Sequence, residues 1–546
     1  MTALRRLPVT LPLSGAALAA LCSLYLFVGL TGHDPWKSED AVHFGITYGF
    51  LTGSDWLVPH LAGEPALDSP PLYYWIAAAC AKLFGQLLPL HDAARLASGL
   101  FGAVFLAQLA SASRRLHGPE AGTTAILISI GCLGLMVPIH DMQPLVALLA
   151  ASATFYAGLA LLPQRPMAGG IEAGLGLGLG FLATGLTALI TLAPLLLMLP
   201  AHRHWRSSAS RKGLLIAWAM ALPLIALWPL LLSWRAPEAL FAWRTTVAVH
   251  FQNNWLTSLP NHAELLAWFA WPALPLAIWA LWLHRHRLSE PALALPIAGT
   301  ATTLLALIFL YGPRPLQTLP LLVPLVLLAT TGAGRLQRGA TNAFDWFGMM
   351  TFTLAAGLIW LGGIAMIFGI PAKIAHNFAK LEPGFVAQGN ISAMTLAALL
   401  TLVWLWLIFA SPRSPWRAVT HWSAGVTLVW VLLISLLLPW IDYGKSYRGV
   451  ALSLQQSLPS NSTGHAECIA GRDLGGAQRA SLHYFAGIVT QVAETPAAAA
   501  CGFRLEQGDA KNRPTPAGWR KLWEGHRPGD RSERLRLYQR TSKRED

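Results

Sequence analysis

Two adjacent carboxylates open the chemistry of this sequence. Glu39 and Asp40 stand in "HDPWKSEDAVHFG", residues 33–45, with Asp34, Lys37, His33 and His43 beside them, directly after the first long apolar run. In a chain with only 12% charged residues, such crowding marks a candidate site. If a helix starts here, Glu39 and Asp40 project about 100° apart, so they cannot serve one substrate atom alike. One can act while the other orients a loop or caps the helix, as Ser38 could also do. A third carboxylate, Asp141, lies beside His140 in "IHDMQP", a very short connection between two apolar runs. Acids on successive loops can converge on one cavity, one accepting a proton and another holding a cationic group or metal. Each also has a plain reading: "SED" is an ordinary helix start, and a hydrated turn acid costs little at a membrane surface.

The elements that must position these acids are membrane helices. A chain of 546 residues with 54% hydrophobic content and 23 tryptophans belongs to the polytopic membrane class. Apolar runs of about 16 to 25 residues predict about thirteen spans. They lie near 11–31, 92–113, 121–139, 143–162, 168–184, 186–201, 213–234, 263–283, 292–311, 318–334, 345–371, 392–410 and 421–440. The pair meeting at Gly185 reads as two short helices, with one kinked helix as the alternative. Arg5 and Arg6 before the first run, with no small-residue cleavage pattern after it, make that run a signal anchor.

Charge then arbitrates topology. With a cytoplasmic N-terminus, every inner connection carries arginine: Arg114 and Arg115, Arg165, Arg203 to Arg211, Arg285 and Arg287, Arg335 and Arg338, Arg413 and Arg417. The positive-inside rule thus accounts for the net charge of +13 without a nucleic-acid partner. Most outward connections instead gather acids and histidines. Residues 32–91 form the first of these, and within it "SPPLYYWIAAACAKLFG" reads as an interfacial helix with an aromatic belt at Tyr73, Tyr74 and Trp75. After Trp440 the composition becomes that of a soluble domain. "SYRGVALSLQQSL" has helical spacing, while "AECIAGRD" and "RLRLYQR" read as strands. The plan is a membrane domain over 1–440 and a small outer α/β domain over 441–546, where Cys468 and Cys501 are either free thiols or a disulfide.

The block "WKSEDAVHFGITYGFLTGSDWLVPHLAGEPALDSPPLYYWIAA" resembles the first periplasmic loop of the bacterial lipid A aminoarabinose transferases and the related protein O-mannosyltransferases. That family shows an Asp-Glu pair, a "GDW-x-x-P" element and "KPPL-x-x-W"; "HDMQPL" around Asp141 resembles its "DMPL" element. The resemblance implies a GT-C fold of about thirteen transmembrane helices with periplasmic juxtamembrane helices and a periplasmic C-terminal domain. It implies an inverting glycosyltransferase of the bacterial inner membrane. Such an enzyme takes a sugar from a polyprenyl-phosphate donor and passes it to a lipid, glycan or protein acceptor, with lipid A one case. Its surroundings would be membrane lipids, its state monomeric, and no cofactor would be required. By position Glu39 matches the family's catalytic Asp and Asp40 the following Glu, with Asp141 the second carboxylate; the acidic order is reversed.

Three departures concern the donor phosphate. The family's Arg after the acidic pair is Val42, its Lys before the double proline is Ser69, and its Lys in a "TKG" element is Thr184. A phosphate without cationic partners is poorly held. Substitutes must come from His43, His60, Arg244, His250, Arg314 or Lys373. His250 and Asp68 also match two positions that can bind zinc in the aminoarabinose transferases, and a solvated loop histidine is the competing reading. Two other functions stand against the enzyme: a transporter or flippase of lipid-linked glycans, which would place ionisable groups at the midplane, and a catalytically degenerate lipid-binding member.

Overall fold

The computed structural model describes residues 13–541 apart from 54, 248–250, 413, 460–467, 494, 512–513 and 531. Arg5, Arg6, His250 and Arg413 therefore lie outside the described residues. In chain order the helices are α1 (Gly15–Phe27), α2 (Glu39–Thr52), α3 (Leu72–Phe84), α4 (Leu90–His117), α5 (Ala121–Gly131), α6 (Pro144–Leu161), α7 (Pro166–Thr184), α8 (Leu186–Met198), α9 (Ser208–Arg235), α10 (Pro237–Thr246), α11 (Trp255–Phe269), α12 (Ala273–Leu283), α13 (Pro291–Ala306), α14 (Pro315–Thr318), α15 (Leu322–Ala333), α16 (Arg338–Phe368), α17 (Ala372–Leu381), α18 (Ile391–Ala410), α19 (Arg417–Lys445), α20 (Arg448–Ser457), α21 (Gly476–Ala486) and α22 (Pro496–Ala499). The strands are β1 (His60–Leu61), β2 (Glu64–Pro65), β3 (Ile469–Arg472), β4 (Thr490–Val492), β5 (Phe503–Asp509), β6 (Trp519–Gly525) and β7 (Glu533–Arg540).

Each of the thirteen apolar segments contains helix, but they are not equal. Among the described residues nine helical stretches are long and apolar enough to cross a membrane, and α11 with α12 forms a tenth candidate bent by 99°. The segments near 11–31, 121–139 and 186–201 hold helices of only 13, 11 and 13 residues. At about 1.5 Å per residue the shortest covers roughly 16 Å, about half of a hydrocarbon core. Hydropathy counts residues through a break; a helix does not. Gly185 supplies such a break: at φ 61° it ends α7 and starts α8, giving two helices.

Small residues set the packing around the site's scaffold. α7 carries "GGIEAGLGLGLG", and α6 and α9 close on it so tightly that a Cβ at Gly158 would strike the Ala173 backbone and one at Gly174 the Ala217 carbonyl. The arginine-bearing connections share one end of the bundle: Arg115 donates to Glu172 and to the Ala157 carbonyl, and His202 meets the Ser289 carbonyl.

At the opposite end stand α2, α3 and the soluble domain. Tyr73 and Tyr74 are corrected by the structure: they are fully buried rather than a belt, because α3 packs on α4 and α2 and shares an apolar cluster with Phe44 and Phe50. Only Trp75 stays half-buried at the surface, donating to the Trp56 carbonyl. The soluble domain is the expected small α/β unit, with sheet order β4-β3-β5-β7-β6. β3 runs parallel to β4 and β5, β7 antiparallel to β5 and β6. Ile469, Phe503, Leu505, Leu535 and Leu537 build its core with residues of α20 and α21. Cys468 and Cys501 form a disulfide.

Candidate active site

The chain between α1 and α2 is held by a clasp of ion pairs. Asp34 accepts from Arg448 Nε at 2.9 Å, from its Nη2, and from Ser446 Oγ at 2.6 Å. Asp442 Oδ1 accepts the Asp34 backbone N–H at 2.9 Å and the Trp36 indole N–H at 2.8 Å. Lys37 Nζ reaches Glu533 Oε2 of β7 at 3.0 Å. Two of the charges that crowd the opening segment thus fasten it to the end of α19 and to the soluble domain.

The clasp delivers the chain to the start of α2, where the two acids diverge. Asp40 points inward and is 2% exposed. Arg95 of α4 grips it side-on, Nε to Oδ1 at 3.2 Å and Nη2 to Oδ2 at 2.9 Å, and the backbone N–H groups of Met142 and Trp36 donate to the same two oxygens. Burial works to raise this carboxyl, but the Arg95 guanidinium outweighs it and holds it below the usual carboxylate range. Arg95 Nη1 also donates to Asp92 Oδ1 at 2.9 Å and to the Leu30 carbonyl at 3.0 Å. Asp40 is thereby saturated.

Glu39 points outward, its side chain 44% exposed. Among the described residues its partners are Ser38 and His43, the latter Nε2 to Oε2 at 3.4 Å, one turn along α2; the hydrogen bond from His43 holds the Glu39 carboxyl below its ordinary value. His43 is fixed in turn by Tyr74 Oη, 2.9 Å from Nδ1. Ser38 precedes the helix without capping it through its side chain.

Asp141 completes the group from the α5–α6 connection. Its backbone carbonyl accepts from Ser98 Oγ at 2.7 Å, and the adjacent Met142 N–H binds Asp40, so both flanks of the turn are tied to the same wall. Its carboxylate takes no hydrogen bond among the described residues. Burial, then the nearby Asp40 charge, push it up to about 7 against the opposing pull of Arg95 and Lys445. Lys445, at the last turn of α19, lies 4.6 Å over the Trp36 ring, is exposed, and has no carboxylate partner among the described residues. Glu39, Asp141 and Lys445 are therefore unspent charges around one saturated Asp40–Arg95 pair.

The other sequence candidates are dispersed. Val42 lies in the apolar cluster and against the start of α21, where a Cβ on Gly476 would be 3.2 Å from it; the soluble domain covers the place where the family carries arginine. Ser69 and Thr184, the two lost lysine positions, flank neighbouring backbone: a Cβ on Gly185 would lie 3.5 Å from Pro70 and 3.8 Å from Trp243. Arg244 is exposed on α10 and follows Trp243 in the chain. His60 binds the Val58 carbonyl on the β1–β2 hairpin, and Arg314 and Lys373 are exposed on α14's N-cap and on α17. Asp68 is exposed, His250 is outside the described residues, and no group of three or more His, Cys, Asp or Glu side chains converges on a metal position among the described residues.

Arg95, Lys445, Asp442 and Arg448 were not singled out from sequence. Arg95 had a signal: Asp92 and Arg95 sit at i and i+3 inside a predicted span, where an ionisable residue calls for a named partner. Lys445 had none, since its role depends on a contact with Trp36 some four hundred positions away.

Residues 68–231 match the family model of dolichyl-phosphate-mannose-protein mannosyltransferases. The chain is 27% identical over 463 residues to an undecaprenyl phosphate-alpha-4-amino-4-deoxy-L-arabinose arabinosyl transferase of Edwardsiella ictaluri, covering 77% of this chain and 76% of that one. A relative of the same name from Pseudomonas paraeruginosa is 27% identical over 440 residues, covering 75% and 73%. The fold superposes on the apo crystal structure of ArnT from Cupriavidus metallidurans with TM-score 0.66 at 15% identity, over 96% of this chain and 97% of that one. The chain has the GT-C fold, shared with this ArnT over nearly its whole length. The same ArnT bound to undecaprenyl phosphate superposes at TM-score 0.62. The acidic cluster lies where the membrane bundle meets the soluble domain, and the chain is a multi-pass membrane protein like its relatives.

Proposed function

We propose that this chain transfers a sugar from a polyprenyl-phosphate donor to a lipid, glycan or protein acceptor at the outer face of the bacterial inner membrane, with its N-terminus cytoplasmic and its soluble domain periplasmic. The single observation that carries the reading is the split of adjacent acids: Asp40 is saturated by Arg95, while Glu39, Asp141 and Lys445 stay available. The names of the relatives, which act on an undecaprenyl-phosphate sugar, support the donor class.

In the inverting displacement the bond from anomeric carbon to donor phosphate breaks as an acceptor oxygen attacks from the opposite face. Glu39, ionised at neutral pH, stabilises positive charge developing on the sugar and orients the acceptor. Asp141, with its carboxyl raised to about 7, takes the proton of an acceptor hydroxyl; an acceptor that is already an ionised phosphate needs no such base. Lys445 supplies the cation missing at Val42, meeting the phosphate as negative charge accumulates on the leaving group. Arg244 does the same work at the Ser69–Thr184 corner. Asp40 and Arg95 are positioning residues.

Purified protein incubated with a panel of polyprenyl-phosphate sugars and a cell-envelope lipid extract tests this. Release of polyprenyl phosphate from at least one donor, dependent on acceptor, is expected. The glycan-flippase reading takes over if reconstituted vesicles move a lipid-linked glycan across the bilayer with no release.

A further inference from the structure

A second site lies in the soluble domain. A groove of about 680 Å³ runs across the strands of the sheet, lined by Arg472, Arg479, Arg504, Arg540, Trp519 and Asp473 among others. Ala470, Arg472 and Arg504 alternate along their strands with the core residues Ile469, Phe503 and Leu505, so they occupy the sheet face opposite that core, where Ala470 packs on Ala498 and Cys501. Among the described lining residues four arginines face one acid.

These cations are only partly spent. Arg504 pairs with Glu506, while Arg472 stands 3.8 Å from both Asp473 and Glu506. Arg540 donates to the Ala499 carbonyl and has no carboxylate partner among the described residues. Arg479 of α21 spends Nη1 on Glu64 at 2.9 Å, but its Nε and Nη2 are buried with no hydrogen-bond partner among the described residues. Those two atoms form the side-on edge of a guanidinium, whose parallel N–H groups match two oxygens of one phosphate or carboxylate. Buried donors without a partner, on a residue that lines the groove, call for an acceptor. Trp519 lies within reach of two guanidinium groups, at 5.2 Å from Arg540 and 5.8 Å from Arg504, and offers an aromatic wall beside them.

We infer that this groove binds a sugar bearing a phosphate or carboxylate, held by the Nε–Nη2 edge of Arg479 with Arg540 and Arg504 around it. Its place in the fold couples it to the acidic cluster. Glu64 belongs to the β1–β2 hairpin of the first outer connection, and α21, which carries Arg479, packs along α2 through Tyr484 against Phe44 and Tyr48. The bound sugar is the anionic part of the acceptor; that assignment rests on the transferase reading, the binding itself does not.

The test uses the full-length protein in detergent, without donor. Glucosamine 6-phosphate and glucuronate are titrated against glucosamine and inorganic phosphate by isothermal calorimetry. The anionic sugars should bind at least tenfold more tightly than glucosamine and than inorganic phosphate. Arg479→Gln with Arg540→Gln should weaken them at least tenfold, and Arg479→Lys, which keeps the charge and loses the fork, should fall between. Equal affinity for glucosamine, unaltered affinity in the double variant, or inorganic phosphate binding as tightly as the sugars would overturn the inference. Since no turnover is read, these results are independent of whether transfer occurs.

Discussion

Two charge clusters sit on either side of Trp36 and are built from the same residue types. In the clasp, Asp34, Asp442 and Arg448 find their partners in each other, in Ser446 and in the Trp36 indole. In the open cluster, Glu39 leans only on Ser38 and His43, Asp141 has no hydrogen bond to its carboxylate among the described residues, and Lys445 rests on an aromatic face. The clasp spends its charge on holding the segment between α1 and α2 against the soluble domain. The open cluster keeps its charge for something not yet bound. Charge density alone does not mark an active site; unsatisfied charge held rigidly beside satisfied charge does.

The largest effect should come from breaking the saturated pair that the open cluster surrounds. Arg95→Met leaves Asp40 and Asp92 buried without their cation, and loss of a buried partner costs about 3–5 kcal/mol. Thermal unfolding in detergent should show a large drop in midpoint, far beyond that of Arg448→Met, whose guanidinium is half exposed. Equal drops would erase the distinction.

Next comes the acid with a raised carboxyl. Below pH 7 Asp141 is mostly protonated and cannot accept a proton, so kcat/KM with a hydroxyl acceptor should rise with pH through about 7 and level off above it. Asp141→Asn should abolish that limb and lower the plateau by about a hundredfold. Glu39, held below the usual carboxylate range, stays ionised throughout and adds no limb near neutrality.

The smallest effect belongs to Lys445. Lys445→Met should raise donor KM about tenfold, equivalent to roughly 1.4 kcal/mol, while acceptor KM and the melting midpoint stay unchanged. A comparable change in acceptor KM would move Lys445 away from the phosphate.

The sequence carried the outline of this arrangement well. Alternation of apolar runs with arginine-bearing connections placed the helices, and the abrupt polar composition after Trp440 marked the soluble domain. It also carried the logic of Glu39 and Asp40, because neighbours on a helix point about 100° apart and must divide their roles. Helical geometry could not say which acid faces in, since that depends on Arg95, a residue some fifty positions away. Nor could it show that Val42 is covered by α21, or that Tyr73 and Tyr74 face protein rather than a membrane interface: an apolar helix face looks the same in sequence whether lipid or protein covers it. Lys445 and Arg479 were hidden for the same reason, their neighbours being supplied by distant segments.

The central claim is that Asp40 builds the site and Glu39 works in it. Melting midpoint and acceptor-dependent polyprenyl phosphate release, measured side by side for Glu39→Gln and Asp40→Asn, test it most directly. The account predicts that Glu39→Gln keeps the wild-type midpoint and loses turnover by at least a hundredfold, while Asp40→Asn lowers the midpoint. A Glu39→Gln protein with undiminished release, beside an Asp40→Asn protein that melts like wild type and has lost its turnover, would contradict it.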